Sequence, residues 1–543
     1  MSPPAAGLRP IWLAIGAALW MATVGNVALW GEMAARHLLR GPGAWLFAVG
    51  LGLIIAASLT AVVSLFAWRW TFKPILLLLL LASAVGTHFM LTYHVVIDSG
   101  MMVNVLQTDP REAAGLLNWR LIATVILLGV LPGFAVWRAP LRFDSGGRQA
   151  LKNLALIFAS LGVAAALILA TFQPLASAMR NERQLRYMIN PLNTLYAAAR
   201  ASTKPLQRAS GPAAVVGTDA HVGAPAGRRP TLLILVLGET GRSGNFGLNG
   251  YPRATTPELE REHVASARNA TSCGTSTAAS VPCMFSHLGR EGYESRSRDY
   301  ETLLDVLDHA GLAVLWIDNQ AGCKGVCDRV PHVETSGLVH PQLCRGGECL
   351  DGIMLEGLEQ RIGALPPERV ARGVVVVMHQ MGSHGPAYHL RSPPAYKRFL
   401  PECTSSSLPD CSRDEVVNAY DNTIAYTDHF LASTIHWLQA RQGVFDTAML
   451  YVADHGESLG ENNLYLHGMP YSVAPDVQKK VPWITWLSPG FEQRSGITIN
   501  CLRAKRDEAI THDHYFHSVL GLMRVSTEVY RRALDTFTPC AAG

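Results

Sequence analysis

Charged side chains are scarce in this chain of 543 residues: Asp, Glu, Lys and Arg together make up 16% of it, against about 25% in an average soluble protein. Hydrophobic residues make up 49%, so the deficit of charge indicates that part of the chain lies in lipid. Lys and Arg form no dense run, and the formal net charge of +4 is spread along the chain. This lack of a basic patch argues against nucleic acid as a partner.

Cysteine is absent from the N-terminal half of the chain. All ten cysteines lie between Cys273 and Cys540, and an even number in an exported region is typical of disulfide bonds. Zinc-binding cysteine clusters are the alternative, but the spacings supply no convincing set of four ligands. The short spacings suggest the pairs Cys273–Cys283, Cys323–Cys327, Cys344–Cys349 and Cys403–Cys411, which leaves Cys501 for Cys540.

Five apolar runs approach or exceed the roughly 20 residues that a helix needs to cross a bilayer. We predict spanning helices at Ile11–Trp30, Ala44–Ala67, Pro74–Tyr93, Trp119–Trp137 and Leu154–Phe172. A signal peptide is the alternative for the first run, but no clear small-residue cleavage site follows it and four further runs do. Residues 1–172 are therefore predicted to form a five-helix transmembrane domain.

Basic residues are distributed unequally between the two sides of these predicted helices. One side carries Arg9, Arg69, Lys73, Arg138, Arg142, Arg148 and Lys152. The other side carries Arg36, Arg40, Arg111 and Arg120, diluted by Glu32, Asp98, Asp109 and Glu112. Because the more basic side of a membrane protein faces the cytoplasm, the N-terminus is predicted to lie inside and everything after Phe172 outside. The cysteine count agrees, since disulfides form in oxidising compartments.

The segment after the last predicted span, residues 173–230, has two parts. Gln173–Arg200 carries apolar residues at helical spacing among polar ones, which is typical of an amphipathic helix on a membrane surface. Packing of the same helix on a soluble domain is the alternative. Ser202–Pro230 is rich in Ala, Gly and Pro without periodicity, so we interpret it as a linker.

From residue 231 to residue 543, short apolar runs rich in β-branched residues alternate with helical patterns. The runs are Leu232–Leu237, Ala313–Ile317, Val374–Met378, Ala448–Val452 and Trp483–Leu487. Alternation with helices such as Tyr300–Ala310 and Val417–Arg441 predicts an α/β domain with a mainly parallel sheet. Ligands bind at the carboxyl ends of the strands in such sheets, so functional residues are expected directly after these runs.

Carboxylates and imidazoles do follow the predicted strands. Glu239 comes after the first strand, Asp454 and His455 after the fourth, His384 shortly after the third, and His467 a short loop beyond Asp454. These side chains are ligands suited to Zn²⁺. Each residue alone has an ordinary explanation as a cap, a turn or a surface residue, but five of them at strand ends indicate a site.

A run of hydroxyl residues stands between two of the cysteines, in the segment Cys273-Gly274-Thr275-Ser276-Thr277-Ala278-Ala279-Ser280-Val281-Pro282-Cys283. The pattern predicts a turn that opens a helix, where free backbone N–H groups and the helix dipole favour an alkoxide or a phosphate. A nearby zinc ion would lower the pKa of such a hydroxyl and polarise a phosphoryl oxygen. Spacing alone does not choose among Thr275, Ser276 and Thr277.

Several longer segments carry a more specific signal. They are Gly238-Glu239-Thr240-Gly241-Arg242, Leu248-Asn249-Gly250-Tyr251, Ser272-Cys273-Gly274-Thr275-Ser276-Thr277, Ser280-Val281-Pro282-Cys283-Met284-Phe285-Ser286, Asp318-Asn319-Gln320, Gly322-Cys323-Lys324-Gly325-Val326-Cys327, Gly382-Ser383-His384-Gly385-Pro386 and Asp454-His455-Gly456-Glu457-Ser458-Leu459-Gly460-Glu461. Together they resemble the phosphoethanolamine transferases of Gram-negative envelopes, a branch of the alkaline phosphatase/sulfatase superfamily. The resemblance is greatest to the lipid A phosphoethanolamine transferases, which include the mobile colistin-resistance enzymes.

The resemblance implies a role for individual residues. The catalytic zinc would be held by Glu239, Thr277, Asp454 and His455. Thr277 would also be the nucleophile, and His384 and His467 would contact the phosphoryl group or hold a second zinc. Substrate-binding roles would fall on Lys324 and Asn104. For Lys324, a solvated loop lysine is the alternative. The chain departs from the family pattern at Gly241, where Ala is usual, and at Thr256, where Asn is usual; both departures concern local loop geometry.

The resemblance also implies a reaction in two steps. Thr277 would attack phosphatidylethanolamine with loss of diacylglycerol, and a phosphate of lipid A would then take the phosphoethanolamine from the threonine. We expect a monomer in the bacterial inner membrane, with a sulfatase-like catalytic domain in the periplasm and one zinc ion or two. Less negative lipid A would bind polymyxins and other cationic peptides more weakly.

Three other functions fit parts of the pattern. The acceptor could instead be a core sugar of lipopolysaccharide, Kdo or a protein. A periplasmic phosphodiesterase or sulfatase would use water, although Thr277-Ala278-Ala279 lacks the Cys/Ser-x-Pro-x-Arg context of sulfatases. A membrane sensor with a degenerate site predicts lost ligands, whereas all six positions are intact.

Overall fold

The chain folds into two compact units. The structure, a computed structural model, describes residues 7–40, 43–107, 113, 116–206, 211–223, 229–335, 337–345 and 347–541. One unit, here called the membrane unit, consists of Met1–Met102 and Leu117–Ser202. The other, here called the α/β unit, consists of Val103–Leu116 and Thr203–Gly543.

The membrane unit contains five helices that are long and apolar enough to cross a membrane, which confirms the five predicted spans. They are Pro10–Ala35, Ala44–Leu65, Phe72–Thr92, Trp119–Arg138 and Gly146–Ala170. Two of them are irregular: a 3₁₀ turn at Val24–Asn26 interrupts the first, and a π-helical turn at Ile126–Val130 interrupts the fourth. The short helix Ser99–Gln107 lies between the third and the fourth in sequence.

Buried polar side chains surround the irregular turn in the first spanning helix. The Asn190 amide donates to the carbonyl oxygens of Ser83 (2.7 Å) and Gly25 (3.2 Å) and to the hydroxyl of Thr87 (3.0 Å). Asn26 accepts the backbone N–H of Asn190 at 2.9 Å. Unsatisfied polar groups are costly where no water is present. The Asn190 amide satisfies the Gly25 carbonyl at the helix break and also bonds to the third spanning helix.

One helix prediction is wrong: Gln173–Arg200 does not form a single continuous helix. The segment contains three helices, Phe172–Asn181, Arg183–Tyr187 and Leu192–Leu206. The first break falls at Glu182, whose ψ of 67° lies outside the helical region. The second falls before Pro191, because proline lacks a backbone N–H and disfavours helical geometry in the residue before it. The predicted linker also holds some regular structure, since His221–Val222 pairs with Val525–Ser526.

The α/β unit is built on a sheet of eight strands. In chain order we number them β1 to β8: Thr231–Gly238, Ala265–Thr271, Ala313–Asp318, His332–Glu334, Val374–His379, Asp446–Ala453, Lys480–Leu487 and Ile510–Thr511. Their order across the sheet is β8-β2-β7-β6-β1-β5-β3-β4. Every residue of β1, β5 and β6 is buried, which explains their continuous Val, Leu and Ile runs.

The sheet is mainly parallel, as predicted, with one exception. Strands β1, β3, β5 and β6 run parallel to their neighbours among themselves, whereas β7 is antiparallel to both β6 and β2. The helices between successive strands are Thr277–Met284, Gly289–Ser295, Leu303–His309, Leu358–Gly363, Pro367–Val370, Arg413–Gln439, Pro489–Ser495 and Ile499–Ala504, and the helix Tyr515–Leu522 follows β8. The parallel arrangement brings the carboxyl ends of β1, β5 and β6 to one edge.

The long helix Arg413–Gln439 begins where its sequence provides a cap. The Ser412 hydroxyl accepts the backbone N–H of Glu415 at 3.3 Å, and the Glu415 carboxylate accepts the backbone N–H of Ser412 at 2.7 Å. This reciprocal capping box satisfies N–H groups that the first helical turn leaves free. The apolar pattern alone predicted a helix at Val417–Arg441, which begins four residues after the observed start at Arg413.

All five predicted disulfides are present. They join Cys273 to Cys283, Cys323 to Cys327, Cys344 to Cys349, Cys403 to Cys411, and Cys501 to Cys540. The described residues contain no free cysteine. The first bond closes the loop that leads into the helix Thr277–Met284, so it limits the conformations open to that loop.

The Cys501–Cys540 bond is expected to contribute the largest share of disulfide stability. It joins residues 39 apart in sequence, whereas Cys323 and Cys327 are 4 apart. Loop-closure entropy predicts a loss of about 4 kcal/mol on removing the long-range bond and about 2 kcal/mol for the short one. The free energy of unfolding is measured in urea for the double variants Cys501→Ser/Cys540→Ser and Cys323→Ser/Cys327→Ser. If both variants lost the same free energy of unfolding, the prediction would be wrong.

Candidate active site

Glu239 and Asp454 lie side by side because β1 and β6 are adjacent parallel strands. The register pairs the last residues of the two strands, and the next residue of each is one of these carboxylates. Both are almost completely buried. The Oδ1 atom of Asp454 accepts the backbone N–H groups of Thr240 (3.0 Å) and His455 (2.7 Å), which fixes the orientation of the carboxylate.

Thr277 brings its hydroxyl to these carboxylates. It is the first residue of the helix Thr277–Met284, and its Oγ1 lies 3.0 and 3.1 Å from the two carboxylate oxygens of Glu239. The same oxygen is 3.4 Å from Nε2 of His455. The hydroxyl of Thr275 is engaged elsewhere, in a hydrogen bond of 2.6 Å to a backbone carbonyl. The geometry therefore favours Thr277 among the hydroxyls of this loop.

The Nε2 atom of His455 faces the Thr277 hydroxyl and the two carboxylates. Its Nδ1 lies 2.9 Å from the carbonyl oxygen of Gly456, which can only accept, so Nδ1 carries a proton. In the neutral imidazole that would bind a metal, the lone pair is therefore on Nε2. Nε2 is 3.4 Å from Glu239 and 3.3 Å from Asp454. Gly456 allows the loop to pass, because a Cβ atom there would lie 2.0 Å from the carbonyl oxygen of Val477.

Negative charge dominates the cluster. Burial and the charge of Glu239 raise the pKa of Asp454 to about 6. Burial alone would lower the pKa of His455, but the charges of Asp454 and Glu239 raise it to about 10. For Glu239, burial is outweighed by the hydrogen bond and charge of His455, so its pKa lies below the usual range. Glu239 and Asp454 are buried carboxylates at neighbouring strand ends, so a positive charge bound between them would stabilise both.

The spacing of the four atoms fits zinc. Ligand atoms at about 2.0–2.1 Å from a tetrahedral zinc stand about 3.3–3.4 Å from one another. Nε2 of His455 lies 3.4 Å from Thr277 Oγ1, 3.4 Å from Glu239 Oε1 and 3.3 Å from Asp454 Oδ2. Asp454 Oδ2 is buried and makes no hydrogen bond among the described residues. These residues match the donor set of a zinc site.

A second group of metal-type ligands is excluded by its chemistry. Cys323, Cys327 and Asp328 also lie close enough together to hold an ion. The two sulfurs form a disulfide, and a disulfide sulfur is not a thiolate ligand. Among the described residues, the buried cluster of Glu239, Asp454 and His455 is the remaining candidate.

His467 and His384 line the same site. The rings of His455 and His467 are 4.3 Å apart, and those of His467 and His384 are 5.7 Å apart. Nδ1 of His467 lies 3.4 Å from the Glu457 carboxylate, which in turn accepts a hydrogen bond of 3.0 Å from the Tyr388 hydroxyl. Neither Glu457 nor Tyr388 was predicted from the sequence, although Glu457 follows His455 by two residues.

The described hydrogen bonds of Lys324 lie away from the zinc-type cluster. The Lys324 ammonium donates to the carbonyl oxygen of Ala321 (2.9 Å) and lies 3.5 Å from that of Gln107. Asn104 lies on the helix Ser99–Gln107, and the residues from Val103 onward in that helix belong to the α/β unit. The substrate-binding roles of Lys324 and Asn104 therefore stay predictions.

Two buried histidines near the sheet edge were missed by the sequence analysis. His512 accepts the backbone N–H of Cys273 at 3.1 Å through Nδ1, and its Nε2 lies 3.1 Å from the carbonyl oxygen of Ala453. It thus joins the start of the loop between Cys273 and Cys283 to the end of β6. His379 ends β5 and pairs with Asp318 at 3.0 Å. No local sequence signal marked either residue, because their partners are distant in sequence.

Protonation of His512 is expected to destabilise the α/β unit. Burial lowers its pKa to about 3, below the value of about 6.5 in an unfolded chain. The unfolded state therefore binds the extra proton, so stability is full above pH 6.5 and falls as the pH drops from 6.5 toward 3. The decrease in Tm from pH 7.5 to pH 5 should be smaller in His512→Asn than in wild type. In the surface control His436→Asn it should equal the wild-type decrease. The same decrease in wild type and both variants would contradict this prediction.

The two departures from the family pattern fit their surroundings. A Cβ atom on Gly241 would lie 2.8 Å from Cβ of Ala453, so glycine relieves a close contact between the loop after β1 and the last residue of β6. The Thr256 hydroxyl accepts the backbone N–H of Leu248 at 2.9 Å. Threonine thus supplies a side-chain acceptor for the loop that precedes Pro257.

Comparison with known proteins first defines the class. A sequence profile described as Sulfatase matches residues 231–525, and one described as Phosphoethanolamine transferase EptA/EptB matches residues 55–206. The protein is thus a membrane-anchored member of the alkaline phosphatase/sulfatase class. This confirms the predicted combination of a five-helix membrane domain with a sulfatase-like α/β domain.

The individual relatives then define the family. The chain is 36% identical to phosphoethanolamine transferase EptA of Escherichia coli K12 over 97% of its own length and 96% of the relative's. It is 35% identical to phosphatidylethanolamine transferase Mcr-1 of Escherichia coli, with 96% of each chain covered. The solved structure of the integral membrane lipooligosaccharide phosphoethanolamine transferase A of Neisseria meningitidis matches with a TM-score of 0.92 at 34% identity, covering 98% of this chain and 99% of that one. The chain belongs to the EptA family of phosphoethanolamine transferases.

Proposed function

We propose that this enzyme transfers phosphoethanolamine from phosphatidylethanolamine to a phosphate of lipid A, through a covalent intermediate on Thr277. The single observation that carries the proposal is the position of the Thr277 hydroxyl. It stands 3.4 Å from His455 and 3.0 Å from Glu239, in the place of one ligand of a tetrahedral zinc. No other hydroxyl of the loop has contacts of this kind among the described residues.

Zinc held by Glu239, Thr277, Asp454 and His455 would lower the pKa of the threonine hydroxyl and polarise a phosphoryl oxygen. The donor set, its burial and the spacing of its atoms support one such ion. His384 and His467 lie beside it and are the residues that would contact the phosphoryl group or hold a second ion.

The protein's own residues account for the first step. Thr277 Oγ1 forms a bond to the phosphorus of phosphatidylethanolamine, and the bond from phosphorus to the diacylglycerol oxygen breaks. The proton lost by the threonine hydroxyl is matched by one delivered to that leaving oxygen. His467, oriented by Glu457, and His384 are placed to deliver it. The disulfide Cys273–Cys283 and His512 hold the threonine in position.

The second step restores the enzyme. An oxygen of a lipid A phosphate bonds to the same phosphorus and gives up its proton, and the bond from phosphorus to Thr277 Oγ1 breaks. A proton returns to the threonine oxygen through His467 or His384. The name of the Neisseria meningitidis relative gives lipooligosaccharide as its acceptor, which supports an acceptor of this class here. Each transfer adds an ammonium group to lipid A, so the surface should attract polymyxins and other cationic peptides less strongly.

Both proposed substrates are membrane lipids, so the membrane unit would hold the catalytic unit at the surface where these lipids lie. We propose that residues 1–172 anchor the enzyme in the bacterial inner membrane, that residues 173–230 lead out of it, and that residues 231–543 carry out catalysis in the periplasm. The five disulfides support this compartment. The low charge and five apolar helices support the anchor.

Lipid analysis tests the proposal directly. The full chain is expressed in a Gram-negative host that lacks its own phosphoethanolamine transferases, and lipid A and core oligosaccharide are analysed separately by mass spectrometry. We expect lipid A to gain the mass of one or more phosphoethanolamine groups and the strain to tolerate more polymyxin. Unmodified lipid A with modified core, or free phosphoethanolamine with no modified lipid, would contradict the acceptor assignment.

A further inference from the structure

The segment that carries His384, residues 381–384, lies tightly against the end of β1; we call it the His384 turn. Gly382 has a φ of 52°, and a Cβ atom on it would lie 2.6 Å from the Glu239 carbonyl oxygen. The backbone N–H of Ser383 donates to the same oxygen at 3.0 Å, and the Ser383 hydroxyl accepts from that of Thr423 at 2.7 Å. These contacts leave the turn little room to move toward the zinc-type cluster.

A buried carboxylate holds the turn from its other side. Asp351, two residues after Cys349, is only 4% exposed. Its Oδ1 accepts the backbone N–H of Met381 at 2.8 Å, and its Oδ2 accepts that of Gly382 at 3.0 Å. Because the two N–H groups belong to consecutive residues, the carboxylate fixes the orientation of the peptide groups that lead to His384.

The other described hydrogen bonds of Asp351 also come from donors. The Asn319 amide donates to Oδ1 at 2.8 Å, and the Gln380 amide donates to Oδ2 at 3.3 Å. Burial raises the pKa of the Asp351 carboxyl group, and the surrounding donors oppose that rise. Asparagine could not replace this carboxylate, because its own N–H groups would point at two of the four donors.

Asn319 holds Asp351 in place from the end of β3. It belongs to the segment Asp318-Asn319-Gln320 of the family pattern and follows β3 directly. Its amide also donates to the carbonyl oxygen of Cys349 at 2.9 Å, and its side-chain oxygen accepts from the Thr335 hydroxyl. Both amide bonds go to the stretch 349–351, so Asn319 fixes the position of the carboxylate relative to the sheet.

We propose that Asp351 is a positioning residue for His384: it holds the peptide groups of Met381 and Gly382 so that the imidazole stays beside His467, 5.7 Å away between ring centres. The inference rests on the proposed function, in which His384 contacts the phosphoryl group or delivers a proton to the leaving oxygen. Among the described residues no hydrogen bond joins Asp351 to the zinc-type cluster, so its effect on the reaction passes through His384.

A double-mutant cycle tests whether Asp351 acts through His384. The single-turnover rate of release of labelled diacylglycerol is measured in detergent micelles for the full-length enzyme, Asp351→Asn, His384→Ala and the double variant. We expect each single variant to lower the rate about 10²-fold, the lower end of the effect of a proton donor. The double variant should lie within about threefold of His384→Ala, because a positioning residue has no effect once the residue it positions is gone.

Asp428→Asn is the matched control. Asp428 is also a buried carboxylate that accepts the backbone N–H groups of two consecutive residues, Glu258 and Leu259, each at 2.9 Å. Its loss should keep the rate of diacylglycerol release within about twofold of wild type, as for a residue outside the site. An unchanged rate in Asp351→Asn, an equal loss in Asp428→Asn, or losses that multiply in the double variant would overturn the proposal.

Asn319→Ala keeps the test decisive if Asp351→Asn does not fold. This variant leaves Asp351 three of its four described donors. It should lower the rate about fivefold, the effect of one ordinary hydrogen bond, and should lower it no further in the His384→Ala background. The same fractional loss in both backgrounds would overturn the proposal.

Hydrogen–deuterium exchange separates this inference from the proposed function, because exchange of backbone N–H groups needs no substrate. In the full-length enzyme we expect Asp351→Asn, or Asn319→Ala in its place, to speed exchange in residues 379–387, and Asp428→Asn to speed it in residues 257–260 instead. That result supports the positioning role even if the wild-type enzyme does not modify lipid A. Wild-type exchange in residues 379–387 of the Asp351 and Asn319 variants overturns it even if lipid A is modified.

Discussion

Replacing Thr277 by alanine is expected to lower the rate of phosphoethanolamine transfer by about 10⁴-fold or more, the scale of losses on removing an enzyme nucleophile. In the proposed mechanism the Oγ1 atom is both the attacking atom and one of the four zinc ligands, and it lies 3.4 Å from the ligand atom Nε2 of His455. Alanine removes both roles at once. The rate is measured with the purified full-length enzyme, labelled phosphatidylethanolamine and lipid A.

The neighbouring residue Thr275 provides a matched control. Its hydroxyl lies in the same loop and donates to the Met469 carbonyl oxygen at 2.6 Å, outside the cluster of carboxylates. Thr275→Ala should therefore cost one ordinary hydrogen bond, about 1 kcal/mol of stability, and should keep most of the activity. If Thr277→Ala and Thr275→Ala lost activity to the same degree, the choice of nucleophile would be wrong.

Zinc binding and stability are expected to respond in opposite directions to Asp454→Asn. Asparagine keeps an oxygen for the backbone N–H groups of Thr240 and His455 but removes a negative charge buried beside Glu239. Metal content should fall well below one zinc per chain. Transfer should fall about 10³-fold or more, because the proposed zinc would no longer be present to activate Thr277. In the metal-free state the variant should unfold at a higher temperature than wild type, since one of two buried like charges is gone.

The two effects are separated by measuring Tm with and without a chelator. Wild type should gain several degrees on adding zinc, as expected for a ligand that binds only the native state, and Asp454→Asn should gain little. Glu461→Gln is the control, because Glu461 pairs with Arg242 at 2.8 Å rather than joining the cluster. A wild-type Tm that does not change with zinc would contradict the metal site.

The elements that could be predicted from the sequence are those that are buried along their whole length, because their residues are continuously hydrophobic. The spanning helices and strands β1, β3, β5 and β6 are continuous apolar runs, so their existence followed from composition. Strand β2, Ala265–Thr271, was missed because its small and polar residues carry no such pattern. The antiparallel direction of β7 was also missed, since side-chain periodicity does not record strand direction.

The candidate site was predictable to the extent that strand ends are predictable. Glu239 and Asp454 follow buried strands directly, so a parallel sheet places them together. Glu457, Tyr388 and His512 were not selected, because each acts through a tertiary contact that only the folded chain creates.

The central claim is that Thr277 carries phosphoethanolamine during the reaction. The most direct test is mass spectrometry of the peptide that contains Thr277, after the purified enzyme has been incubated with phosphatidylethanolamine without acceptor and quenched in acid. We predict that this peptide gains the mass of one phosphoethanolamine group, that fragmentation places the group on Thr277, and that lipid A removes it. A wild-type peptide that stays unmodified while diacylglycerol is released and lipid A is modified would contradict the account.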